Sequence, residues 1–501
     1  MQHVLSNQWA RWLVPSLCDL FFLAILGWTF LGGPYGWQGL LADGDAGWHI
    51  RTGEYILDHH AVPRQDLYSF SKPGAPWYAW EWLTDVIDAS LFRMSGLKGV
   101  VLLAGLVIAA FVVSLLLRMI WRGAHPLIAI ATALIGYGAA SVHFLARPHV
   151  FTLLLLSISV WMVDRDRDAP TRRIWLLVPL TVLWTNLHGG FLSLIAILGL
   201  TAMGSAVEAW LGPRTWKTSL RYAALMAACF AASFVNPYGY RLHQHVAEYL
   251  RSDWIRNVVQ EFQSPIFRGE AMLQFEALLL VGVMVAGALF RRRRVVHGLW
   301  ILYFAHMALG SGRHVPLFVC VAAPLVAVQV SEWYLALTAN ARKSSLLGIL
   351  NQVAADSAAG FERTSVWPFA TVAALILIGN PIKWPTDFPE QMFPVRMAHA
   401  HAAQILDSRV LTTDQWGDYL IFMNPRQKVF IDGRSDFYGP EIGQQYLRMT
   451  NGTWDWAALM AKNNFNLVLL PIESPLVQLL KRDPGWRIVE DDGARILLAR
   501  R

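Results

Sequence analysis

The sequence predicts a mainly α-helical, polytopic membrane protein that ends in a water-exposed α/β domain. Three observations predict it. Hydrophobic residues fill 55% of the 501 positions and charged residues only 15%, against about 25% charged in an average soluble domain; mean hydropathy is +0.37. Apolar runs able to span the ~30 Å of hydrocarbon in a bilayer recur from Leu13 to about Ile382, and the residues beyond read as ordinary soluble protein. Lys and Arg gather in the short connections between the runs.

The runs predict eleven helices, at 12–32, 97–120, 126–145, 149–163, 174–187, 190–211, 222–236, 272–290, 296–311, 314–333 and 366–382. The first is followed by no small-residue cleavage signal and is expected to be retained. Basic clusters at Arg118/Arg122, Arg165/Arg167/Arg172/Arg173, Arg214/Lys217, Arg291 to Arg294 and Arg342/Lys343 all fall on one side of this arrangement. Lys and Arg excess marks the cytoplasmic side, so the N-terminus is expected inside and the tail outside, in a cytoplasmic (inner) membrane. The net charge of +7 is thereby a topology signal, and no nucleic-acid partner is expected. Trp77, Trp80, Trp82, Trp121 and Trp384 stand near run ends, where amphipathic rings favour the interface.

Two long loops, about 33–96 and 237–271, fall outside with the tail. The first holds a predicted amphipathic helix from Glu81 to Met94, with Leu83, Val86, Ile87 and Leu91 near helical spacing, expected to lie on the membrane surface. The chain divides into a helical membrane domain, 1–385, and an α/β domain, 386–501. In the latter, 409–413, 428–432, 467–470 and 496–499 are β-rich, and 457–462 and 477–481 read as helical. Cys18, Cys229 and Cys320 all lie in apolar runs, which predicts neither a disulfide framework nor a zinc site.

Polar residues collect near the expected outer ends of the helices. Asp43 and Asp45 follow the first run; such a pair could deprotonate a hydroxyl, hold a divalent cation, or cap the helix that follows. Arg147 and His149 lie between the third and fourth runs, His188 after the fifth, and Arg313 and His314 between the ninth and tenth. Charged groups among apolar runs are costly and often functional, although each could be an ordinary loop residue. Glu261 lies in the second long loop. In the tail, Trp416-Gly-Asp418-Tyr419 and Asp432-Gly433-Arg434-Ser-Asp436 are either ligand-facing or structural turns. Asn451-Gly-Thr453 matches the glycosylation sequon and carries no weight.

The string Asp45-Ala-Gly-Trp48-His-Ile-Arg51-Thr-Gly-Glu-Tyr-Ile-Leu resembles the first outer loop of GT-C glycosyltransferases. Oligosaccharyltransferase catalytic subunits similarly place an acidic residue, an aromatic and an arginine in order, and relatives of the lipid A aminoarabinose transferase and protein mannosyltransferase type set their catalytic Asp just after helix 1. The resemblance covers helix 1 and its loop, and the remainder in overall plan. It implies an enzyme moving a sugar from a polyprenyl-phosphate carrier to an acceptor glycan, lipid or protein at the outer face of the bilayer. Asp45, or Asp43, would be general base; Arg313 first and Arg147 second would hold the carrier phosphate, with Trp48, Arg51, His149, His188, Glu261 and His314 around the substrates. Asp43, Asp45 and Glu261 could together hold Mg²⁺ or Mn²⁺, or the arginines could serve without metal. The tail motif lacks the paired tryptophans of oligosaccharyltransferases, which removes the basis for expecting sequon recognition. Against this stand a transporter, which would need polar residues at mid-membrane, a membrane-anchored binding or assembly protein, and a polymer ligase that also draws on a lipid carrier.

Overall fold

A computed structural model describes residues 12–32, 36–212, 214–361, 363–377 and 384–501. Every predicted apolar run holds a helix. In chain order the helices are α1 (Leu17–Leu31), α2 (Asp45–His59), α3 (Trp82–Ser95), α4 (Leu97–Trp121), α5 (Pro126–Ala140) and α6 (His149–Asp168). There follow α7 (Leu177–Leu187), α8 (Leu192–Trp210), α9 (Trp216–Ala232), α10 (Tyr240–Arg251), α11 (Asp253–Val258), α12 (Glu270–Arg291), α13 (Val295–Gly310), α14 (Val315–Thr338), α15 (Leu346–Ala358) and α16 (Trp367–Leu377). Five segments, Leu97–Trp121, Pro126–His143, Gly189–Trp210, Glu270–Arg291 and Gly312–Thr338, are long and apolar enough to cross a membrane, and α1, α13 and α16 are shorter apolar helices. The expected end of the last helix, 378–382, and the N-terminal residues 1–11 lie outside the described residues.

Ion pairing explains where several helices stop. The apolar run expected to end at 163 continues as helix to Asp168 because the next charge is neutralised inside the bundle. Asp164 is wholly buried against Arg118 (2.5 Å), Arg122 (2.8 Å) and His297 (2.8 Å). Around it, Arg214 donates to the Arg167 carbonyl (2.8 Å) and Arg293 to the Leu211 carbonyl (2.9 Å). Members of four predicted basic clusters thus sit at one end of the bundle. At the start of α1, Ser16 and Asp19 cap one another reciprocally, at 3.0 and 2.8 Å, which gives the acid inside that run a local purpose.

The first long loop folds into α2 and α3, packed on each other. The Gly53 backbone approaches α3 so closely that an added Cβ would lie 1.8 Å from the Asp85 carbonyl oxygen. The amphipathic helix expected over 81–94 exists as α3 but is turned the other way from a simple core helix. Thr84, Asp85, Asp88 and Ala89 are its buried face, while Leu83, Val86, Ile87 and Leu91 are only half-buried.

The tail carries α17 (Val395–Ala400), α18 (Ala402–Leu406), β1 (Val410–Leu411), α19 (Asp414–Met423), α20 (Ser435–Thr450), α21 (Trp456–Lys462), β2 (Leu467–Pro471), α22 (Pro475–Leu480), β3 (Trp486–Asp491) and β4 (Arg495–Arg500). The sheet runs β1-β2-β4-β3, with β1 parallel to β2 and the other pairs antiparallel. The strand expected at 428–432 is corrected: that segment makes one bridge, Ser69 to Val429, with the first long loop. Its backbone partners are Tyr68 and Phe70 (2.9 and 3.0 Å), so its β-rich composition serves to dock the tail on the loop.

Candidate active site

The site is assembled from connections, each held by a helix end. Asp43 Oδ1 accepts from the Asp45 amide (2.9 Å) and starts α2, which sets Asp45 in that helix's first turn. Arg147 lies in the link between α5 and α6, His188 directly after α7, Glu261 in the turn Gln260–Phe262, and Arg313 in the turn Gly312–His314. All but Asp43 line one cavity of about 350 Å³, walled on the tail side by Gly433 to Asp436. His149 also lines it, at the opposite end of the 20-residue α6 from the Asp164 cluster. At 1.5 Å per residue His149 and Asp164 stand about 22 Å apart along the helix axis, most of the ~30 Å thickness of a hydrocarbon layer.

Charge pairing orders the cavity. Arg147 places Nη2 2.6 Å from Asp45 Oδ2 and Nη1 3.0 Å from Asp43 Oδ2. Its Nη1 is also 3.8 Å from Glu261 Oε2, and Arg313 Nη1 reaches Glu261 Oε1 at 3.4 Å. Arg313 is further held by the Tyr249 hydroxyl (3.2 Å) and lies 4.4 Å from the Phe262 ring centre. Burial pushes the Asp45 carboxyl up to about 7, against the pull of Arg147. Burial acts likewise on Glu261, but Arg313 and Arg147 outweigh it and hold that carboxyl below its ordinary range.

Of a second buried set, only His188 was singled out in the sequence. Glu81 in the cavity wall faces His188 Nε2 (3.3 Å) and His49 Nε2 (3.5 Å), and His49 Nδ1 meets Asp85 at 2.6 Å. Burial raises Glu81 to about 8, so it is largely protonated at neutral pH. The available signal was an acid between tryptophans, Trp80-Glu81-Trp82, which also reads as an interfacial anchor.

The tail adds Asp418 and Gly433. An added Cβ on Gly433 would sit 1.9 Å from Asp45 Oδ1 and 2.9 Å from Asp418 Oδ2, and both oxygens are buried without a hydrogen-bond partner. Asp418 Oδ1 accepts from the Gly433 amide (2.9 Å). Gly47 permits the approach of α19, since a Cβ there would lie 2.8 Å from the Asp418 carbonyl oxygen. Next door, Arg434 bridges Asp432 (2.7 Å) and Asp66 (2.9 Å), which ties the tail to the first loop.

Of the other expected site residues, Trp48, His149 and His314 line the cavity. His149 is fixed by the His143 carbonyl (2.6 Å) and His314 by the Met307 carbonyl (3.2 Å). Arg51, expected around the substrates, is not among the residues that line the cavity; it donates through Nε to the Phe422 carbonyl (2.7 Å) and pairs with Glu54, joining α2 to α19. Asp43, Asp45 and Glu261, the expected oxygen set, converge on the Arg147 guanidinium.

Compared with solved structures, the chain resembles the oligosaccharyltransferase of Archaeoglobus fulgidus in its apo form. The match covers 97% of this chain and 74% of that one, at 11% identity and a TM-score of 0.55. The same archaeal enzyme, AglB, in complex with an inhibitory peptide and a dolichol-phosphate, matches over 91% of this chain and 69% of that one, at 11% identity and a TM-score of 0.57. The chain shares the fold of this archaeal oligosaccharyltransferase. ArnT from Cupriavidus metallidurans bound to undecaprenyl phosphate is also similar, at 14% identity and a TM-score of 0.42, over 96% of this chain and 97% of that one. No family model matches the sequence, and no curated protein matches it significantly. Among the described apolar helices of the bundle, the buried charges Asp19, Arg118, Asp164 and Glu208 sit near helix ends.

Proposed function

We propose that this protein is a GT-C glycosyltransferase that moves a sugar from a polyprenyl-phosphate carrier to an acceptor hydroxyl at the outer face of a cytoplasmic membrane. Eleven crossings, an N-terminus inside and the tail outside complete the arrangement. The observation that carries the reading is one cavity holding a carboxylate raised to about 7 and, within the same lining, two arginines. The orientation is supported by the basic ends of the helices lying roughly 25 Å from that cavity along α6.

In the proposed reaction the acceptor oxygen bonds to the anomeric carbon as the bond from that carbon to the carrier phosphate breaks. Asp45 takes the hydroxyl proton. Arg147 anchors Oδ2 at 2.6 Å, which leaves Oδ1 as the oxygen able to receive it. A base with a pKa near the working pH combines adequate strength with a useful ionised fraction. Arg313 balances the charge that develops on the departing phosphate, and its hold on Glu261 keeps it extended into the cavity until phosphate arrives. Glu81, largely protonated, is positioned to donate a hydrogen bond to either substrate from the cavity wall.

A dolichol-phosphate accompanies the archaeal enzyme of the same fold, which favours a lipid-phosphate donor over a free nucleotide sugar. A transporter would require charged groups midway along the bundle, and the end-clustered charges speak for interfacial chemistry. The test is transfer of labelled sugar from polyprenyl-phosphate donors by membranes holding the wild type, set against Asp45→Asn.

A further inference from the structure

Asp43, Asp45 and Glu261 are the hard oxygen donors that a divalent cation takes, and they do converge. What they surround is an arginine. Arg147 Nη1 is 3.0 Å from Asp43 and 3.8 Å from Glu261, and Nη2 is 2.6 Å from Asp45. Mg²⁺ would need its oxygens near 2.0–2.1 Å in octahedral order, and the guanidinium fills the space toward which these oxygens point. Among the described residues no three His, Cys, Asp or Glu side chains form a metal-holding group. With Arg147 in place, the residues do not fit a divalent ion.

The arginine is also the sole cation for two of its partners. Among the described residues, Asp43 and Asp45 make ion pairs with Arg147 and with no other group, whereas Glu261 retains Arg313 at 3.4 Å. Buried carboxylates demand a compensating charge, and a guanidinium keeps its proton at every pH a protein experiences. Two further oxygens, Asp45 Oδ1 and Asp418 Oδ2, stand buried and without hydrogen-bond partners beside Gly433. Removing Arg147 would therefore leave Asp43 and Asp45 without a cation beside Glu261, three carboxylates facing the space that the guanidinium had filled.

We propose that Arg147 is the built-in cation of this site, doing with a fixed side chain what a bound divalent ion would otherwise do, and that a divalent-metal site appears only when it is removed. The arginine holds the Asp45 carboxylate in orientation and offsets its charge, without metal loading or loss. This refines the site on which the proposed transferase rests, but it is read by metal occupancy, so failure of either idea is visible without the other.

The experiment is Mn²⁺ titration of the full-length protein in lipid nanodiscs, with free Mn²⁺ followed by electron paramagnetic resonance. The wild type is expected to bind no Mn²⁺ that Asp45→Asn abolishes. Arg147→Ala is expected to bind one Mn²⁺ per chain, and Arg147→Ala/Asp45→Asn to lose it. Should Arg147→Ala not fold, Arg147→Gln replaces it, and the wild-type titration stands alone as a test. Sugar transfer by the wild type, where measured, is expected to be the same in EDTA as in Mg²⁺. Asp45-dependent Mn²⁺ binding by the wild type would overturn the proposal, as would a folded Arg147 variant that binds no more Mn²⁺ than the wild type.

Discussion

Asp45 divides its carboxylate between two surroundings: Oδ2 lies 2.6 Å from Arg147 Nη2, while Oδ1 is buried, without a hydrogen-bond partner, against Gly433. One oxygen is thereby fixed and the other left able to accept a proton. The fixed one comes from the helical domain's own pairing, and the free one faces the tail. Both parts of the chain are needed to shape a single acid.

Replacing that acid gives the first expectation. Asp45→Asn keeps the volume and removes the base, and general-base loss costs about 10²- to 10⁴-fold in rate. Transfer assays should show a fall of that order, with the thermal unfolding profile of the purified protein little changed.

The pH dependence follows from two buried carboxyls. Asp45 must be ionised to act and is raised to about 7, so activity should climb as pH rises through about 7. Glu81 is raised to about 8, and as a donor it should lose its role above that value. A narrow optimum between the two is expected, and Glu81→Gln, which cannot ionise, should remove the alkaline fall while leaving the acid limb in place. Rate profiles of the wild type and Glu81→Gln check both limbs.

Arg313→Ala should weaken the hold on the carrier. A hydrogen bond to a charged group contributes about 1.5–3 kcal/mol, which corresponds to roughly 10- to 100-fold. The effect should appear in the KM for the lipid-linked donor, or in the affinity for undecaprenyl phosphate used as a probe, more than in kcat.

A methyl group at Gly433 tests the contact between the two parts of the chain. The added carbon in Gly433→Ala would lie 1.9 Å from Asp45 Oδ1, so the carboxylate must move or the turn must shift. Overpacking of this kind costs about 1–3 kcal/mol. Activity should drop sharply while the sheet in the tail keeps its circular-dichroism signature.

At the other end of the bundle, Asp164→Asn removes the one carboxylate shared by Arg118, Arg122 and His297. Breaking a buried ion cluster costs about 3–5 kcal/mol. A lower unfolding temperature is expected, with unchanged activity per folded molecule.

Hydropathy alone marked where the helices of the membrane body lie, because burial in lipid demands long apolar runs and nothing else in the chain has them. The residues at their ends were also visible: Asp45, Arg147, Arg313 and Glu261 stood out as charges bordering apolar segments. Their mutual pairing was not visible, since it depends on which helix ends meet in space. Glu81 was hidden between two tryptophans that read as membrane anchors. The inward polar face of α3 inverts the usual rule, because Asp85 is buried to serve His49 (2.6 Å) and not to pack a core. Lys428 to Asp432 has strand composition, yet its partner is a loop some 360 residues earlier, Ser69 pairing with Val429. Arg51 matched a family spacing and turned out to clasp the Phe422 carbonyl, a contact between distant segments that no local pattern reveals.

The most direct test of the central claim is sugar transfer by the purified full-length protein in nanodiscs, offered a panel of radiolabelled polyprenyl-phosphate-linked sugars and the membrane extract of its host as acceptor. The account predicts that at least one donor loses its label to a product with the wild type, and that Asp45→Asn, equally folded, is slower by about 10²-fold or more. Equal transfer by the two proteins would remove Asp45 from the reaction. No transfer from any polyprenyl-phosphate donor would contradict the assignment of the cavity as a glycosyltransferase site.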